Sequence, residues 1–361
     1  MSRRYTNFTE DDYRARPNRH GSRPRTKDRP RFADALAAVV VAVDRGRYRA
    51  RLLTPEHGGS RTGPVGPGNL RAGAALTCVR ASALRRNAIV PGDVVRVVGD
   101  TSGRPDTLAR IVLVEPRATV LRRSADDSDD SERVIVANAD QLVIVTATAD
   151  PEPSDGLIDR ALAAAFDAGI TPILAVTKTD LKPADELTAR FSQTGADIIE
   201  CGLDAQGLPR VDELRTRLTG HLSVLLGHSG VGKSTLMNRL VPDVDRATGA
   251  VNDVTGRGRH TSSSALASPL PGGGWVIDTP GVRSFGLAHV DPDNVLAAFT
   301  ELVPATAGCP RGCTHLADAP GCALDEWVAQ GRAGVAGVAR LASLRRLLAN
   351  LAPAQWDRPR N

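Results

Sequence analysis

The sequence predicts a multidomain protein that consists of a small β-barrel, an α/β domain and a C-terminal helical domain. Three observations carry this prediction. Short apolar runs broken by Gly and Pro fill residues 34–117, near-continuous apolar runs alternate with helical periodicity over 118–290, and a Cys/His cluster precedes an amphipathic stretch within 291–361. The chain has 361 residues, which is long enough for two or three domains of ordinary size.

Residues 34–117 are expected to form the barrel. Five runs read as short strands, and no helical period is present. These runs are AAVVVAVD, RYRARLL, AALTCV, DVVRVVGD and LARIVLVE. An OB-type barrel is the natural candidate, and such barrels often bind RNA or DNA. A barrel that only packs against its neighbour is the alternative, because fold alone does not fix function. The acidic segment 124–132 is expected to be a boundary loop.

Residues 118–290 are expected to form a doubly wound sheet. The runs LVIVTAT and ITPILAVT read as buried parallel strands, and the segment between them places Leu157, Ile158, Leu162 and Phe166 at helical spacing. HLSVLLG and GWVIDTPG add two further strands. Alternation of strand and helix predicts an α/β fold whose ligands lie beyond the carboxyl ends of the strands.

A phosphate-binding loop is predicted at residues 227–235, GHSGVGKST, between a buried strand and the helical segment STLMNRLV. Glycines let backbone N–H groups face phosphates, and the helix N-terminus adds partial positive charge. We expect Lys233 to reach the β- and γ-phosphates and the Ser234 hydroxyl to bind Mg²⁺. A tight glycine turn without a ligand is the alternative. The candidate phosphate-binding residues are Gly227, His228, Ser229, Gly230, Val231, Gly232, Lys233, Ser234 and Thr235.

Two further motifs follow strands. DTPG lies at residues 278–281, where Asp278 is expected to hold Mg²⁺ and the Gly281 N–H to sense the γ-phosphate. TKTD comprises Thr177, Lys178, Thr179 and Asp180. In GTP-binding proteins with the pattern Asn-Lys-x-Asp, the Asp accepts two hydrogen bonds from guanine and the Lys covers the base. Thr177 replaces Asn here, so one amide contact is missing and weaker affinity is expected.

The order of the motifs is unusual. In ordinary small GTPases the guanine-binding motif follows the phosphate-binding loop, whereas here TKTD precedes that loop by about 50 residues. Either TKTD is accidental or the domain is circularly permuted. Domain termini usually lie close together, so a permuted sheet can keep the same site. If TKTD were accidental, a P-loop ATPase or kinase would be the alternative.

A structural zinc site is predicted from Cys309, Cys313, His315 and Cys322. Three thiolates and one imidazole suit a tetrahedral Zn²⁺ that has no open position. Free cysteines in a loop are the alternative. After the cluster, an amphipathic helix places Leu344, Leu347, Leu348 and Leu351 on one face.

Charge is concentrated at the N-terminus. Residues 1–31 hold ten Arg or Lys and four Asp or Glu, whereas the whole chain has a net charge of +5. Residues 1–33 are therefore expected to be a disordered basic tail, either solubilising or an electrostatic arm for nucleic acid. The chain lacks an apolar run long enough for a membrane span and an apolar leader, which favours a cytoplasmic location and no membrane partner.

Together these motifs resemble the circularly permuted, ribosome small-subunit-dependent GTPases of the RsgA or YjeQ family. The resemblance extends over nearly the whole chain after about residue 34 and includes LVEPRATVLRRS, VANADQLVIVTA, TKTDL, GRGRHTSSS, DTPGVRSFG and PGCAL. It implies an N-terminal OB-type β-barrel, a circularly permuted α/β P-loop GTPase domain and a C-terminal α-helical zinc-binding domain. It also implies a monomer that binds GTP and GDP and acts late in maturation of the small (30S) ribosomal subunit, touching its 16S rRNA and stimulated by it.

The resemblance also implies roles for single residues. Thr261 matches the switch threonine that completes Mg²⁺ coordination, although an ordinary loop hydroxyl is the alternative. Val282 stands where Ras-like enzymes carry a water-orienting Gln, so another group must orient water. His260 matches a family histidine suited to that task; a solvent-exposed loop histidine is the alternative. The family usually has Ser-Ala where Cys201 and Gly202 stand. An RNA-binding assembly factor with a nucleotide switch but negligible turnover is a further alternative.

Overall fold

The computed structural model describes residues 34–44, 46–53, 72–84, 88–126, 129–192, 194–241, 265–279 and 290–355. The predicted basic tail at 1–33 lies outside these ranges. The five strands predicted for the barrel are confirmed. They are β1 (Leu36–Asp44), β2 (Arg47–Leu53), β3 (Ala72–Arg80), β4 (Val94–Gly99) and β5 (Ala109–Val114).

The barrel closes because β4 returns to pair with β1. The strand order is β1-β2-β3-β5-β4, and only β3 and β5 are parallel. Alternate residues point inward, as the period of two in a strand requires. Val40, Val95, Val97 and Ile111 are fully buried in the core of the barrel and pack in one cluster with the buried Tyr48. In so small a barrel, side chains of this size fill the interior.

The expectation of a boundary loop at 124–132 was wrong. The chain there continues a hairpin of β6 (Val120–Asp126) and β7 (Asp129–Ala137). The polar composition resembled a loop, but cross-strand pairing supplies the backbone hydrogen bonds that the composition alone does not reveal.

The α/β domain contains a six-stranded sheet in the order β10-β9-β8-β11-β13-β12. All neighbours are parallel except β12, which runs antiparallel to β13. The strands are β8 (Gln141–Ala147), β9 (Thr171–Thr177), β10 (Asp197–Glu200), β11 (Leu222–Leu226), β12 (Leu266–Pro269) and β13 (Trp275–Asp278). The helices that connect or follow them are α1 (Asp155–Asp167), α2 (Asp185–Phe191), α3 (Asp212–Leu218) and α4 (Lys233–Leu240).

The sheet order explains how a permuted chain keeps one site. Strands β8 and β9 precede β11 in sequence, yet β8 lies directly beside β11 and parallel to it. On the other side of β11 lies β13, also parallel. The carboxyl ends of β9, β11 and β13 therefore meet at one end of the sheet.

The barrel is joined firmly to the α/β domain. Strand β1 pairs with β12 at Ala42 and Leu266, so a single eleven-stranded sheet runs through both. Gly92 adopts a φ of +87°, and a Cβ there would overlap the carbonyl oxygen of Ala137. Nearby, the fully buried Asp93 accepts a hydrogen bond of 2.7 Å from Arg117, and this contact raises the pKa of the arginine.

Three helices form most of the C-terminal region: α5 (Pro292–Ala297), α6 (Ala323–Ala329) and α7 (Gly337–Gln355). The predicted apolar face of α7 is confirmed, since Leu344, Leu347, Leu348 and Leu351 are buried. Among the described residues, no helix combines the length and apolarity that crossing a bilayer requires. The domain limits drawn at residues 117 and 290 remain predictions.

Candidate functional site: a phosphate loop, a guanine motif and a metal cluster

The phosphate-binding loop leaves β11 and enters α4. Gly230 and Gly232 have φ values of +85° and +89°, in the left-handed region that favours glycine. A side chain on Gly227 would come within 2.7 Å of the Val145 carbonyl oxygen. Gly232 is the N-cap of α4 and offers no capping side chain. The first N–H groups of α4 are therefore free of a side-chain cap, as an anion site requires.

The remaining loop residues divide by burial. Val231 is buried and anchors the loop, whereas Ser229, Ser234 and Thr235 are exposed and His228 is half-buried. The Ser234 hydroxyl thus lies at the surface at the start of α4, where a cation bound to phosphates would be accessible to it.

Lys233 meets the acidic residue of the DTPG motif. Its ammonium group pairs with the Asp278 carboxylate, and the Lys233 side chain is only 14% exposed. Strands β11 and β13 bring the two motifs together, since Leu225 is the register partner of Asp278. The next residue reinforces this pairing, because the Thr279 hydroxyl donates to the Leu225 carbonyl over 2.8 Å. Gly281 lies outside the described residues.

The candidate guanine motif, TKTD at residues 177–180, begins at the end of β9 and contacts the phosphate-binding loop directly. The hydroxyl of the buried Thr177 is 2.6 Å from the Val231 carbonyl oxygen and 3.1 Å from that of Thr146. A hydroxyl has a single proton and donates to one acceptor at a time. The Val231 carbonyl is the nearer acceptor, so the Thr177 hydroxyl ties the guanine motif to the phosphate-binding loop through that hydrogen bond.

Lys178 is held in a left-handed conformation, with a φ of +56°. The Thr148 hydroxyl donates to the Lys178 carbonyl over 2.7 Å, and the Lys178 ammonium donates to the Asp150 carbonyl. Asp180 is exposed beyond these anchored residues. Sequence reasoning missed Thr148 and Asp150. Both directly follow the buried strand β8, and this position after a parallel strand could have marked them as residues of the same end of the sheet.

His260 and Thr261, the candidate water-orienting and switch residues, lie outside the described residues. The arrangement that is described brings together the phosphate-binding loop, Asp278 and TKTD. The structure thus brings the candidate phosphate-binding and base-binding segments to one row of strand termini.

The four predicted zinc ligands converge. Their ligand atoms all lie within 4.8 Å of one another. The Nδ1 atom of His315 is 3.6 Å from Cys309 Sγ and 3.7 Å from Cys322 Sγ. Bonds of about 2.0–2.3 Å at tetrahedral angles put ligand atoms about 3.6–3.8 Å apart, so the donor set fits one metal ion.

Neighbouring groups hold the cluster in place. The Ala323 N–H donates to Cys309 Sγ over 3.3 Å, and Arg345 donates to the His315 carbonyl over 3.3 Å while it pairs with Asp325. His315 has a φ of +57°, an uncommon conformation for a residue with a Cβ. Burial lowers the pKa of His315, which favours the neutral imidazole that metal binding needs.

The two remaining cysteines differ from the cluster. Cys78 and Cys201 are buried singly, and burial raises their pKa values to about 11 and about 12. Both thiols therefore stay protonated near neutral pH and act as small apolar groups.

Comparison with known proteins identifies relatives of this chain. A family model described as RsgA GTPase matches residues 114–288. The small ribosomal subunit biogenesis GTPase RsgA of Ectopseudomonas mendocina (strain ymp) is 41% identical over 277 residues, which cover 74% of this chain and 77% of the relative. The protein of the same name from Azotobacter vinelandii is 40% identical over 283 residues, which cover 76% and 78%.

Solved structures share the fold. The crystal structure of YjeQ from Thermotoga maritima aligns with a TM-score of 0.63 at 23% identity and covers 88% of this chain and 98% of that one. YloQ, a circularly permuted GTPase, aligns with a TM-score of 0.60 at 21% identity and covers 93% and 100%. On the sequence relationships above, this chain belongs to the family of small ribosomal subunit biogenesis GTPases, RsgA.

Proposed function

We propose that this protein hydrolyses GTP to GDP and phosphate and acts as a late assembly factor of the small (30S) ribosomal subunit, which stimulates its hydrolysis. The observation that carries the proposal is the meeting of TKTD, the phosphate-binding loop and Asp278 at one end of the sheet in a member of the RsgA family. The guanine motif would select GTP, because Asp180 can accept hydrogen bonds from N1–H and the 2-amino group, which adenine lacks.

Each described residue has a distinct task in this proposal. Lys233 and the N-terminus of α4 would hold the phosphates, while Ser234 and Asp278 would hold the Mg²⁺ that accompanies GTP and neutralises charge on the phosphates. In this state Asp278 must release the Lys233 ammonium group with which it pairs. Thr261 is proposed as a further Mg²⁺ ligand and His260 as the group that orients the attacking water.

Phosphate release with and without purified small subunits tests the function. We expect hydrolysis of GTP, but not of ATP, to rise when subunits are added. Absence of stimulation would contradict the assembly role, and equal turnover of ATP would contradict the guanine assignment. Co-sedimentation with small subunits in GTP-analogue and GDP states would show whether the nucleotide controls binding.

We further propose that the barrel contacts 16S rRNA through one arginine-bearing face. Arg47, Arg49 and Arg51 lie on β2 and alternate with the buried Tyr48 and Ala50. Arg47 is opposite Val79 on β3, and Val79 is opposite Arg110 on β5, so Arg110 adds a further arginine to the same face on the far side of Val79. Cationic side chains that neutralise phosphates gain affinity by releasing counterions.

Replacing Arg47, Arg49 and Arg51 by Gln is expected to weaken binding to small subunits. It should also lower the slope of log affinity against log salt by about 1 for each phosphate that the protein no longer neutralises. Co-sedimentation across a series of KCl concentrations measures this slope. Arg346→Gln, which replaces an exposed arginine on α7, is the control. An unchanged slope in the triple variant would exclude this face from RNA binding.

The metal proposed for the Cys₃His cluster is a single structural zinc ion. The support is the donor set of three thiols and one imidazole, whose ligand atoms all lie within 4.8 Å of one another. Four protein ligands on one zinc ion leave no position for substrate. We expect about one zinc per chain in purified protein. Cys313→Ser should lower zinc content well below that level and loosen the C-terminal helices, because zinc binding contributes directly to folding.

Zinc content is measured by atomic emission on the folded protein. Cys201→Ala is the matched control, because Cys201 lies outside the cluster and its replacement should leave zinc content unchanged. Purified protein without zinc, or a Cys313→Ser variant with full zinc content, would contradict the proposal.

We also propose that the protein is a cytoplasmic monomer. Light scattering on purified protein would test the oligomeric state.

A further inference from the structure

The third residue of the guanine motif occupies space that a neighbouring glycine leaves open. A Cβ on Gly202 would overlap the Thr179 hydroxyl oxygen and would also lie 3.2 Å from both Thr179 Cβ and the Nη2 atom of Arg210. Gly202 is buried and directly follows Cys201 at the end of β10. Its φ lies outside the left-handed region in which glycine is preferred. The constraint on this position is therefore the contact with Thr179 and not the backbone conformation.

Rotation of Thr179 offers little relief. Threonine carries two heavy atoms on Cβ, so two of its three staggered positions are occupied, and only one rotamer would turn hydrogen toward residue 202. That rotamer would still leave the two Cβ atoms 3.2 Å apart. It would also break the contact of 3.5 Å in which Arg210 Nη2 donates to the Thr179 hydroxyl.

The backbone on both sides of this contact is anchored. On the side of β9, Lys178 is fixed by Thr148, and the Leu181 N–H donates to the Lys178 carbonyl over 2.9 Å. On the side of β10, the Cys201 N–H donates to the Val176 carbonyl over 2.6 Å.

The loop that follows Gly202 is equally firm. One oxygen of the Asp204 carboxylate accepts from the N–H groups of Gln206 and Leu208, each over 2.9 Å. The Arg210 N–H donates to the Gly202 carbonyl over 2.9 Å. A side chain at position 202 would therefore displace the segment from Thr179 to the exposed Asp180.

We propose that Thr179 and Gly202 are a matched pair of positioning residues that sets the place of the Asp180 carboxylate for guanine recognition. The inference rests on the proposed binding of guanine nucleotides and names the contact that controls its specificity. Asp180 would recognise guanine through hydrogen bonds, whose strength depends steeply on distance and angle. A shift of the Asp180 carboxylate by a fraction of an ångström should therefore weaken the preference for guanine over other bases more than it weakens phosphate binding.

Affinities for GDP and inosine diphosphate test the pairing. Inosine diphosphate keeps N1–H but lacks the 2-amino group from which the Asp180 carboxylate would accept a hydrogen bond. Gly202→Ala is expected to weaken GDP binding at least about 10-fold and to bring the GDP-to-inosine-diphosphate affinity ratio close to about 1. A variant that merely lost stability would weaken both ligands alike, so the ratio separates positioning from general damage.

A double variant makes the test specific. Thr179→Ala alone is expected to weaken GDP binding modestly, and adding Gly202→Ala to it should weaken binding clearly less than Gly202→Ala does in the wild-type background, because the overlap with the hydroxyl is gone and only the 3.2 Å contact between the two Cβ atoms remains. Gly156→Ala on α1 is the matched control, since a Cβ there meets only Arg160 Nη1 at 3.9 Å.

Each outcome decides the matter. A Gly202→Ala variant that binds GDP like Gly156→Ala would overturn the inference, as would a double variant that keeps the full defect of Gly202→Ala. If Gly202→Ala does not fold, recovery of folding and GDP binding in the double variant supports the pairing, and failure to recover contradicts it. If the wild-type protein binds neither nucleotide, the proposed function fails and the inference fails with it.

Discussion

Replacing Lys233 by alanine is expected to lower small-subunit-stimulated GTP hydrolysis by at least about 100-fold. The Lys233 side chain at the start of α4 is 14% exposed, and its ammonium group pairs with Asp278, so it is already at the candidate phosphate-binding end of the sheet. Alanine removes the positive charge that would stabilise the transferring phosphoryl group, while the backbone of the loop remains. Initial rates of phosphate release at saturating small subunits measure the effect.

Lys182→Ala is the control for this prediction. Lys182 follows the guanine motif but forms an exposed pair with Glu186, and its side chain is 49% exposed. Exposed pairs of this kind contribute little to stability, so this variant should hydrolyse GTP at nearly the wild-type rate. Normal hydrolysis by Lys233→Ala would overturn the assignment of residues 227–235 as the phosphate-binding loop.

Replacing Arg340 by methionine is expected to destabilise the protein by about 3–5 kcal/mol. Arg340 on α7 is buried between Asp159 of α1 and Glu301, and it also stacks 4.1 Å from the centre of the Phe299 ring. Its Nε atom donates to Glu301 over 2.8 Å. Burial raises the pKa of Asp159, and Arg340 opposes that effect. Methionine fills much of the space but leaves two buried carboxylates without their cation.

Urea unfolding followed by circular dichroism measures this loss, with Arg346→Met on the exposed face of α7 as the control. A triple variant that also carries Asp159→Asn and Glu301→Gln should recover part of the stability, because no buried charge then remains unpaired. An Arg340→Met variant as stable as Arg346→Met would show that the buried network contributes nothing measurable to holding α7 against α1.

Much of the fold follows from local pattern. The barrel strands, the buried strands on either side of α1 and the strand before the phosphate-binding loop all have the periodicity of their final structure. The polar segment 124–132 of the β6–β7 hairpin did not, because it carries no apolar alternation and is a strand only through pairing with its partner; the apolar contacts of the hairpin come from its other end, at Leu121 and Val136. The short strand β10 and the antiparallel β12 carry too few residues to give a clear period.

The candidate site likewise contains features that a local sequence pattern predicts and features that it does not. Motifs in which consecutive residues carry the chemistry, such as GHSGVGKST and TKTD, were visible in the sequence. Contacts between segments were not. The hydrogen bond from Thr177 to Val231 joins residues 54 positions apart, and the close approach of Gly202 to Thr179 depends on the register of two neighbouring strands. Such contacts can be predicted only once the order of the strands in the sheet is known, because no single stretch of sequence contains both partners.

The pairing of β1 with β12 also bears on solubility. Strand β12 is the outermost strand of the α/β sheet, and the barrel covers part of its free hydrogen-bonding side at Ala42 and Leu266. A truncated chain without the barrel would present unpaired backbone groups beside the exposed Leu266, which is a template for pairing with another chain. In the intact protein the barrel therefore covers part of an edge at which the α/β sheet could otherwise pair with another chain.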